Sequence, residues 1–171
     1  MGWTGWLIFI ALIGIDQVTK LLIENAFVLG EELPVISGFF SLLYVHNTGA
    51  AWGFLSDKAW GIYILTAVSL AVTVFLLIRL PKIHDKLCFY SGLVFAAGTV
   101  GNLIDRLFRG YVVDFLSFTF GTYRYPTFNA ADVFIVVGAI VFILRLLMKP
   151  KLVDELFGTD HKSGKHRHDT E

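Results

Sequence analysis

The stretch Ala59-Trp60-Gly61-Ile62-Tyr63-Ile64-Leu65-Thr66-Ala67-Val68-Ser69-Leu70-Ala71-Val72-Thr73-Val74-Phe75-Leu76-Leu77-Ile78-Arg79-Leu80 decides the fold. It carries no charge before Arg79. As a helix it is long enough to cross the ~30 Å of hydrocarbon in a bilayer. Three more stretches read the same way, so the expected spans are about 3–23, 59–80, 87–104 and 131–148. The first and third are less uniform, because polar residues occupy one half of each. Composition agrees: 56% of the residues are hydrophobic and 16% charged, where a soluble domain carries nearer a quarter charged. The expected fold is an α-helical integral membrane protein with four transmembrane helices.

The 171 residues suffice for one bundle. Residues 1–149 form the expected membrane domain, and 150–171 a polar tail expected to be disordered. The formal net charge of +0 and the lack of a basic stripe give no sign of nucleic-acid binding. Cys88 is the single cysteine, which excludes an intrachain disulfide; it reads as a small buried hydrophobe. No Lys or Arg precedes the first apolar run and no A-x-A site follows it, so that run is expected to be a retained span. Met1-Gly2-Trp3-Thr4-Gly5-Trp6 lacks the Ser or Thr of a myristoylation signal.

Basic residues set the orientation. Arg79-Leu80-Pro81-Lys82-Ile83-His84-Asp85-Lys86 is a short basic turn, and Arg145, Lys149 and Lys151 lie at and just after the end of span four, whereas Glu24–Lys58 holds one Lys and no Arg. The positive-inside tendency then places both termini and the 79–86 turn in the cytoplasm. Segments 24–58 and 105–130 face outward. Segment 33–56 is rich in Phe, Leu, Tyr and Val, a pattern expected to form a small β element on the membrane surface. In 107–128, Phe118, Phe120, Tyr123 and Tyr125 suit the interfacial aromatic belt. His161, His166 and His168 in the tail read as solvated.

With this topology the unusual polar residues collect at the outer face. Asp16 and Lys20 are i and i+4 in the outer half of span one. Span three ends in Gly101-Asn102-Leu103-Ile104-Asp105-Arg106, span four begins near Asn129 and Asp132, and Asn47 and Gly49 lie in the outer loop. Scattered structural polarity would not sort this way, and ionisable groups near lipid are functional candidates.

Each has a plainer reading. Asn129 three residues before Asp132 can cap span four. Asp16 and Lys20 can be a self-neutralising ion pair. Asp105 and Arg106 can be interfacial snorkelling charges, and Ala97 with Gly101 can serve close helix packing. Asp114, in Val112-Val113-Asp114-Phe115, has no cap or turn signature to explain it.

The chemistry narrows by residue type. There is no H-E-x-x-H, and His46 is the single histidine near the cluster, so zinc is poorly supported. Ser37, Ser41, Ser56 and Ser117 have no G-x-S-x-G setting, and no spacing argues for a Ser–Lys pair with Lys58 or Lys20. Two aspartates remain. Carboxyls that approach closely cannot both stay ionised, so one keeps a proton while the other takes one from water. Asn47, Asn102, Asn129 and Arg106 supply fixed donors for substrate or for the carboxyls.

Five segments resemble the lipoprotein signal peptidases (signal peptidase II). Asp16-Gln17-Val18-Thr19-Lys20 is similar to that family's D-Q-x-[ST]-K, Asn47-Thr48-Gly49-Ala50-Ala51-Trp52-Gly53 to N-x-G-x-A-[FW]-[GS], and Gly101–Arg106 to G-N-x-x-D-R. Val112–Phe115 and Phe128-Asn129-Ala130-Ala131-Asp132 resemble the segments carrying the family's catalytic aspartates. All occur in family order between residues 16 and 132. Val133 stands where the family usually has Ser or Ala.

The resemblance implies an aspartic endopeptidase of the bacterial cytoplasmic (inner) membrane that uses no metal or organic cofactor. It would remove signal peptides from prolipoproteins, cutting just before a diacylglyceryl-modified Cys. Asp114 and Asp132 would be catalytic. Asn47, Gly49, Asn102, Arg106 and Asn129 would bind substrate or order the site, with Asp16, Lys20 and Asp105 in support. The partners implied are lipid-modified prolipoproteins, membrane lipids and globomycin-type cyclic peptide inhibitors, and the 33–56 element would cradle the signal helix.

Three rivals fit less well. A transporter predicts acids spread through the membrane depth and internal symmetry, and neither is visible. Presenilin-type proteases use Y-D and G-x-G-D, strings that do not occur. A scaffold leaves five polar motifs at one face unexplained.

Overall fold

The computed structural model describes residues 3–49 and 60–158. Among the described residues, four helices are long and apolar enough to cross a membrane: α1 (Trp3–Ala26), α2 (Gly61–Arg79), α3 (Lys86–Phe108) and α4 (Ala130–Met148). The expected spans are present, with α1 and α3 running on past residues 23 and 104. Residue 59, at the head of the second expected span, lies outside the described residues.

The third helix is the axis of the bundle. In α3 67% of the membrane window is buried inside the protein, against 17% in each of the other three. Small residues make this possible. Gly98 of α3 lies against the Ala131 backbone and the Ile135 side chain of α4, and Gly138 of α4 lies against the Phe95 backbone. Lipid tails are as apolar as Leu, so such close backbone approach is what holds membrane helices together. A polar contact pins α2 to α3, with the Thr73 and Thr99 hydroxyls 2.9 Å apart. Leu7, Ile10, Val68, Ile78, Val136 and Ile140 point outward, as lipid-facing residues do.

Between α1 and α4 the described residues build one antiparallel sheet in the order β1-β2-β3-β4. Its strands are β1 (Glu32–Ile36), β2 (Phe40–Asn47), β3 (Val112–Phe120) and β4 (Tyr123–Arg124). The expected 33–56 element supplies β1 and β2, and its end from residue 50 lies outside the described residues. The 107–128 segment, expected as an interfacial aromatic stretch, supplies the other two strands. Its alternation is concealed because both faces of β3 are apolar. Val113 and Phe115 pack with Ile23 and Tyr44, while Phe118 on the other face stacks on Phe40 and Phe128, with centroids 4.8 and 5.8 Å away.

Register places the site. Val45 pairs with Asp114 and Asn47 with Val112, beyond an irregularity between Leu42 and Val45. Residues opposite each other or two apart share a face, so Asn47 and Asp114 project from the same side.

The far end of the bundle carries a correction. The tail expected to be disordered from residue 150 opens with a helix, α5 (Lys151–Phe157). Leu152 and Leu156 are buried with Leu76, Leu80, Ile83 and Cys88. Arg79 donates to the Leu156 and Glu155 carbonyls, which suits a cation at a helix C-terminus. Two buried leucines outweigh a polar composition. The three tail histidines lie outside the described residues. Asp85 caps α3 through the Cys88 N–H at 3.1 Å and accepts Arg145 at 2.8 Å and Lys149 at 2.9 Å.

Candidate active site

At the sheet end of the bundle, α1, α3, β2, β3 and α4 bring the polar residues together. Asp114 is 1% exposed on β3. Its Oδ1 accepts the Asn129 Nδ2 at 2.7 Å and its Oδ2 the Asn47 Nδ2 at 2.8 Å. The Gly49 N–H donates to Asn47 Oδ1 at 2.9 Å, which turns the Asn47 amide so that its NH₂ faces the carboxyl.

Asp132 lies in the first turn of α4. Its Oδ1 accepts Asn102 Nδ2 at 2.7 Å and its Oδ2 the Asn129 backbone N–H at 3.1 Å. Asn129 Oδ1 in turn accepts the Asp132 N–H at 3.0 Å, completing a capping box. The capping alternative is therefore realised, and it does not exclude a site. One Asn129 side chain caps α4 and donates to Asp114, so it ties the two carboxylates into one network.

Behind them lies a buried charge cluster. Lys20 is 0% exposed, and its ammonium contacts Asp16 Oδ2 at 2.9 Å, Asp105 Oδ2 at 2.8 Å and Asn102 Oδ1 at 3.0 Å. The ion-pair alternative for Asp16 and Lys20 is realised too, with Asn102 linking it to Asp132. Asp16 Oδ1 also accepts the Ala131 N–H at 2.9 Å. Gly101 leaves room for the Asp16 carboxylate, since a Cβ there would meet Oδ2 at 2.5 Å. Asp105 is fully buried, which overturns the snorkelling alternative for it. Arg106 is half-buried and its charge acts on Asp114 and Asp132. His46 stands apart, its ring 2.8 Å from the Tyr44 hydroxyl and stacked on Tyr111 at 3.5 Å.

Burial, reinforced by the neighbouring Asp132 carboxylate, pushes the Asp114 carboxyl up to about 7. The amides of Asn47 and Asn129 oppose that rise without cancelling it.

Sequence reasoning missed three participants. Gln17 donates to Asp16 Oδ2, the Gly101 carbonyl and Asp105 Oδ1, at 3.1, 3.1 and 3.2 Å. Arg109 pairs with Asp105 at 2.7 Å and with Glu24 at 3.0 Å. The signal was present: Asp105 and Arg109 are i and i+4, as are Lys20 and Glu24.

Fold and site together define a class: a four-span membrane protein with a buried network of carboxylates and amides at one end of the bundle. Known proteins narrow it. The family described as signal peptidase (SPase) II matches residues 8–148, and the chain belongs to that family. It is 41% identical to the lipoprotein signal peptidase of Bacillus pumilus (strain SAFR-032), over 88% of this chain and 96% of that protein. It is 42% identical to that of Symbiobacterium thermophilum, over 78% and 88%. Two solved bacterial membrane enzyme structures share the fold. One has a TM-score of 0.77 at 32% identity, covering 86% of this chain and 89% of the other. The second has 0.70 at 34%, covering 85% and 94%. The chain is thus a membrane peptidase.

Proposed function

We propose that the protein removes signal peptides from lipid-modified prolipoproteins, cutting just before the lipidated Cys, with Asp114 and Asp132 as the catalytic pair. The observation that carries this reading is the enclosure of the two carboxylates. Each of their four oxygens accepts a donor from Asn47, Asn102 or Asn129, and Asn129 serves both. Family membership supplies the substrate class.

The pair shares one proton. The ionised carboxyl takes a proton from a water, whose oxygen attacks the scissile carbonyl. The protonated carboxyl donates to the carbonyl oxygen as it becomes a hydroxyl. The tetrahedral diol then collapses: one hydroxyl proton returns to a carboxylate, the C–N bond breaks, and the proton taken from water passes to the departing amine. Arg106 supplies a cation beside the developing charge. Asn47, Asn102 and Asn129 hold the carboxyls, and Gly49 orients Asn47. Asp16, Lys20 and Asp105 fix Asn102 from behind.

The face of the sheet that bears Asp114 continues through Leu116, Leu42, Phe118 and Phe40, an apolar track suited to a signal helix and to acyl chains. Globomycin-type cyclic peptides would compete there. The basic residues Arg79, Lys82, Lys86, Arg145, Lys149 and Lys151 gather at the opposite end, which favours cytoplasmic termini and a site at the outer face of a bacterial inner membrane.

A gel-shift cleavage assay in detergent or lipid tests this. It compares a diacylglyceryl-modified prolipoprotein with its unmodified form, using wild type, Asp114→Asn and Asp132→Asn. The expected result is cleavage of the lipidated form alone, lost in both variants. Turnover near wild type in either variant overturns the catalytic assignment.

A further inference from the structure

We propose that Arg109, anchored by Glu24, is a positioning residue for the reaction: it holds the Asp105 carboxylate and through it positions Lys20 and the part of strand β3 that carries Asp114. The inference rests on the reading of Asp114 and Asp132 as the reacting pair.

Arg109 follows the last residue of α3, and its side chain is 17% exposed. All three guanidinium nitrogens are engaged. Nε donates to Glu24 Oε1 at 3.1 Å and Nη2 to Glu24 Oε2 at 3.0 Å. Nη1 donates to Asp105 Oδ1 at 2.7 Å and to Gln17 Oε1 at 3.2 Å. A planar fork held at two edges is preorganised in a way a flexible ammonium is not. Gln17, with its oxygen committed to Arg109, turns its NH₂ toward Asp16, Asp105 and the Gly101 carbonyl.

Two routes run from Asp105 to the site. Its Oδ2 accepts Lys20, whose ammonium also holds the Asn102 oxygen. The same Oδ2 accepts the Val113 N–H at 3.2 Å, next in the chain to Asp114. Arg109 also balances charge. Asp16, Asp105 and Glu24 are three anions facing two cations, Lys20 and Arg109. Loss of Arg109 leaves one more uncompensated negative charge behind the pair.

Other charged or titratable groups face this region from each element. They are Arg106 on α3, Tyr44 and His46 on β2, Tyr111 and Asp114 at β3, and Asp132 on α4. The reacting pair is the readout. A unit charge about 10 Å away moves a titration by about 0.3 pH unit at the dielectric of water, and by about 1 at an effective dielectric near 20.

The test is the pH profile of kcat/KM on a lipidated prolipoprotein, for wild type, Arg109→Gln, Arg109→Lys, Glu24→Gln and Asp114→Asn. Arg109→Gln is expected to move the alkaline limb up by about 0.5 pH unit and to lower the rate at its optimum about 10-fold. Arg109→Lys keeps the limb in place and restores part of the rate. Glu24→Gln, which removes an anion, moves the limb down, and it decides the matter alone where Arg109→Gln does not fold. An unmoved limb in both charge-changing variants, or a shift of both in the same direction, overturns the inference while the catalytic pair stands. Retained activity in Asp114→Asn overturns the catalytic reading and this inference with it.

Discussion

Lys20 Nζ stands 3.0 Å from Asn102 Oδ1, and this contact, with the Asn129 Nδ2 donor 3.1 Å from the same oxygen, decides which way round the Asn102 amide sits. With its oxygen committed to the ammonium, the amide can only present its NH₂ to Asp132, at 2.7 Å. A buried cation thus orients the donor to a carboxylate it does not itself touch.

Lys20→Met is expected to be among the most damaging single changes. It leaves the Asp16 and Asp105 carboxylates buried without their shared cation. Removing one partner of a buried ion pair costs roughly 3–5 kcal/mol. Thermal unfolding in detergent checks this, and a melting temperature within a degree or two of wild type would contradict the role given to Lys20. Asp16→Asn removes one of two anions and keeps an acceptor for the Ala131 N–H, so its loss should be smaller.

Asp114→Asn is expected to lose activity and gain relative stability at alkaline pH. The Asp114 carboxyl is raised to about 7 by burial and by Asp132, above its unfolded value near 4. Between those values the folded chain holds a proton that the unfolded chain releases, so wild-type stability falls as pH rises through that window. Asn carries no charge and removes this dependence. The melting temperature of Asp114→Asn minus that of wild type should therefore be more positive at pH 8 than at pH 5. A difference independent of pH would mean that Asp114 is not the raised group.

Activity should follow the same titration from the other side. A pair that needs one proton loses rate as that proton leaves, so kcat/KM should decline with an apparent midpoint at or above about 7, the value to which Asp114 is raised. A substrate that excludes water moves the limb for kcat higher still. A flat profile from pH 6 to 9 would speak against a shared proton.

The fold was legible where one physical rule governs. Uncharged runs of membrane length announce spans, and α2 needs nothing more than its sequence. The site was legible because burying Asp16, Lys20 and Asp114, and half-burying Asp132, is so costly that their presence calls for partners. The sheet was half legible: β1 and β2 stood out, but β3 is apolar on both faces, so Asp114 read as an outlier in a loop and not as a strand position. Arg109 and Glu24 escaped because a charge near a helix end reads as solvated, and only three-dimensional packing turns it inward. The α5 helix was hidden because composition averages over the tail, whereas Leu152 and Leu156 act singly.

Leu156→Ala tests that last point. Leu156 is 3% exposed, against the core formed by Leu76, Leu80 and Cys88. Truncating a buried leucine costs about 2–5 kcal/mol, so the melting temperature should fall. Turnover per folded molecule at low temperature should be unchanged, because α5 lies at the end of the bundle away from Asp114. Equal stability would mean that α5 does not dock.

Asn129→Ser separates the two duties of one side chain. Serine is as good an N-cap as asparagine, since its oxygen accepts the N–H that Asn129 Oδ1 now takes from Asp132. The cap is kept, but the Nδ2 bonds to Asp114 Oδ1 and Asn102 Oδ1 are lost, so stability should fall by about 1–3 kcal/mol. The shorter side chain cannot also deliver an NH₂ to Asp114 Oδ1, so one of that carboxylate's two donors is lost and the tie between the pair is cut. Activity is expected to fall about 10- to 100-fold, the scale of one lost charge-assisted hydrogen bond at 1.5–3 kcal/mol. Asn129→Ala removes both duties and should lose about 1 kcal/mol more in stability. If Asn129→Ser keeps full activity with an intact fold, the amide is a cap alone, and the link between Asp114 and Asp132 plays no part in the chemistry.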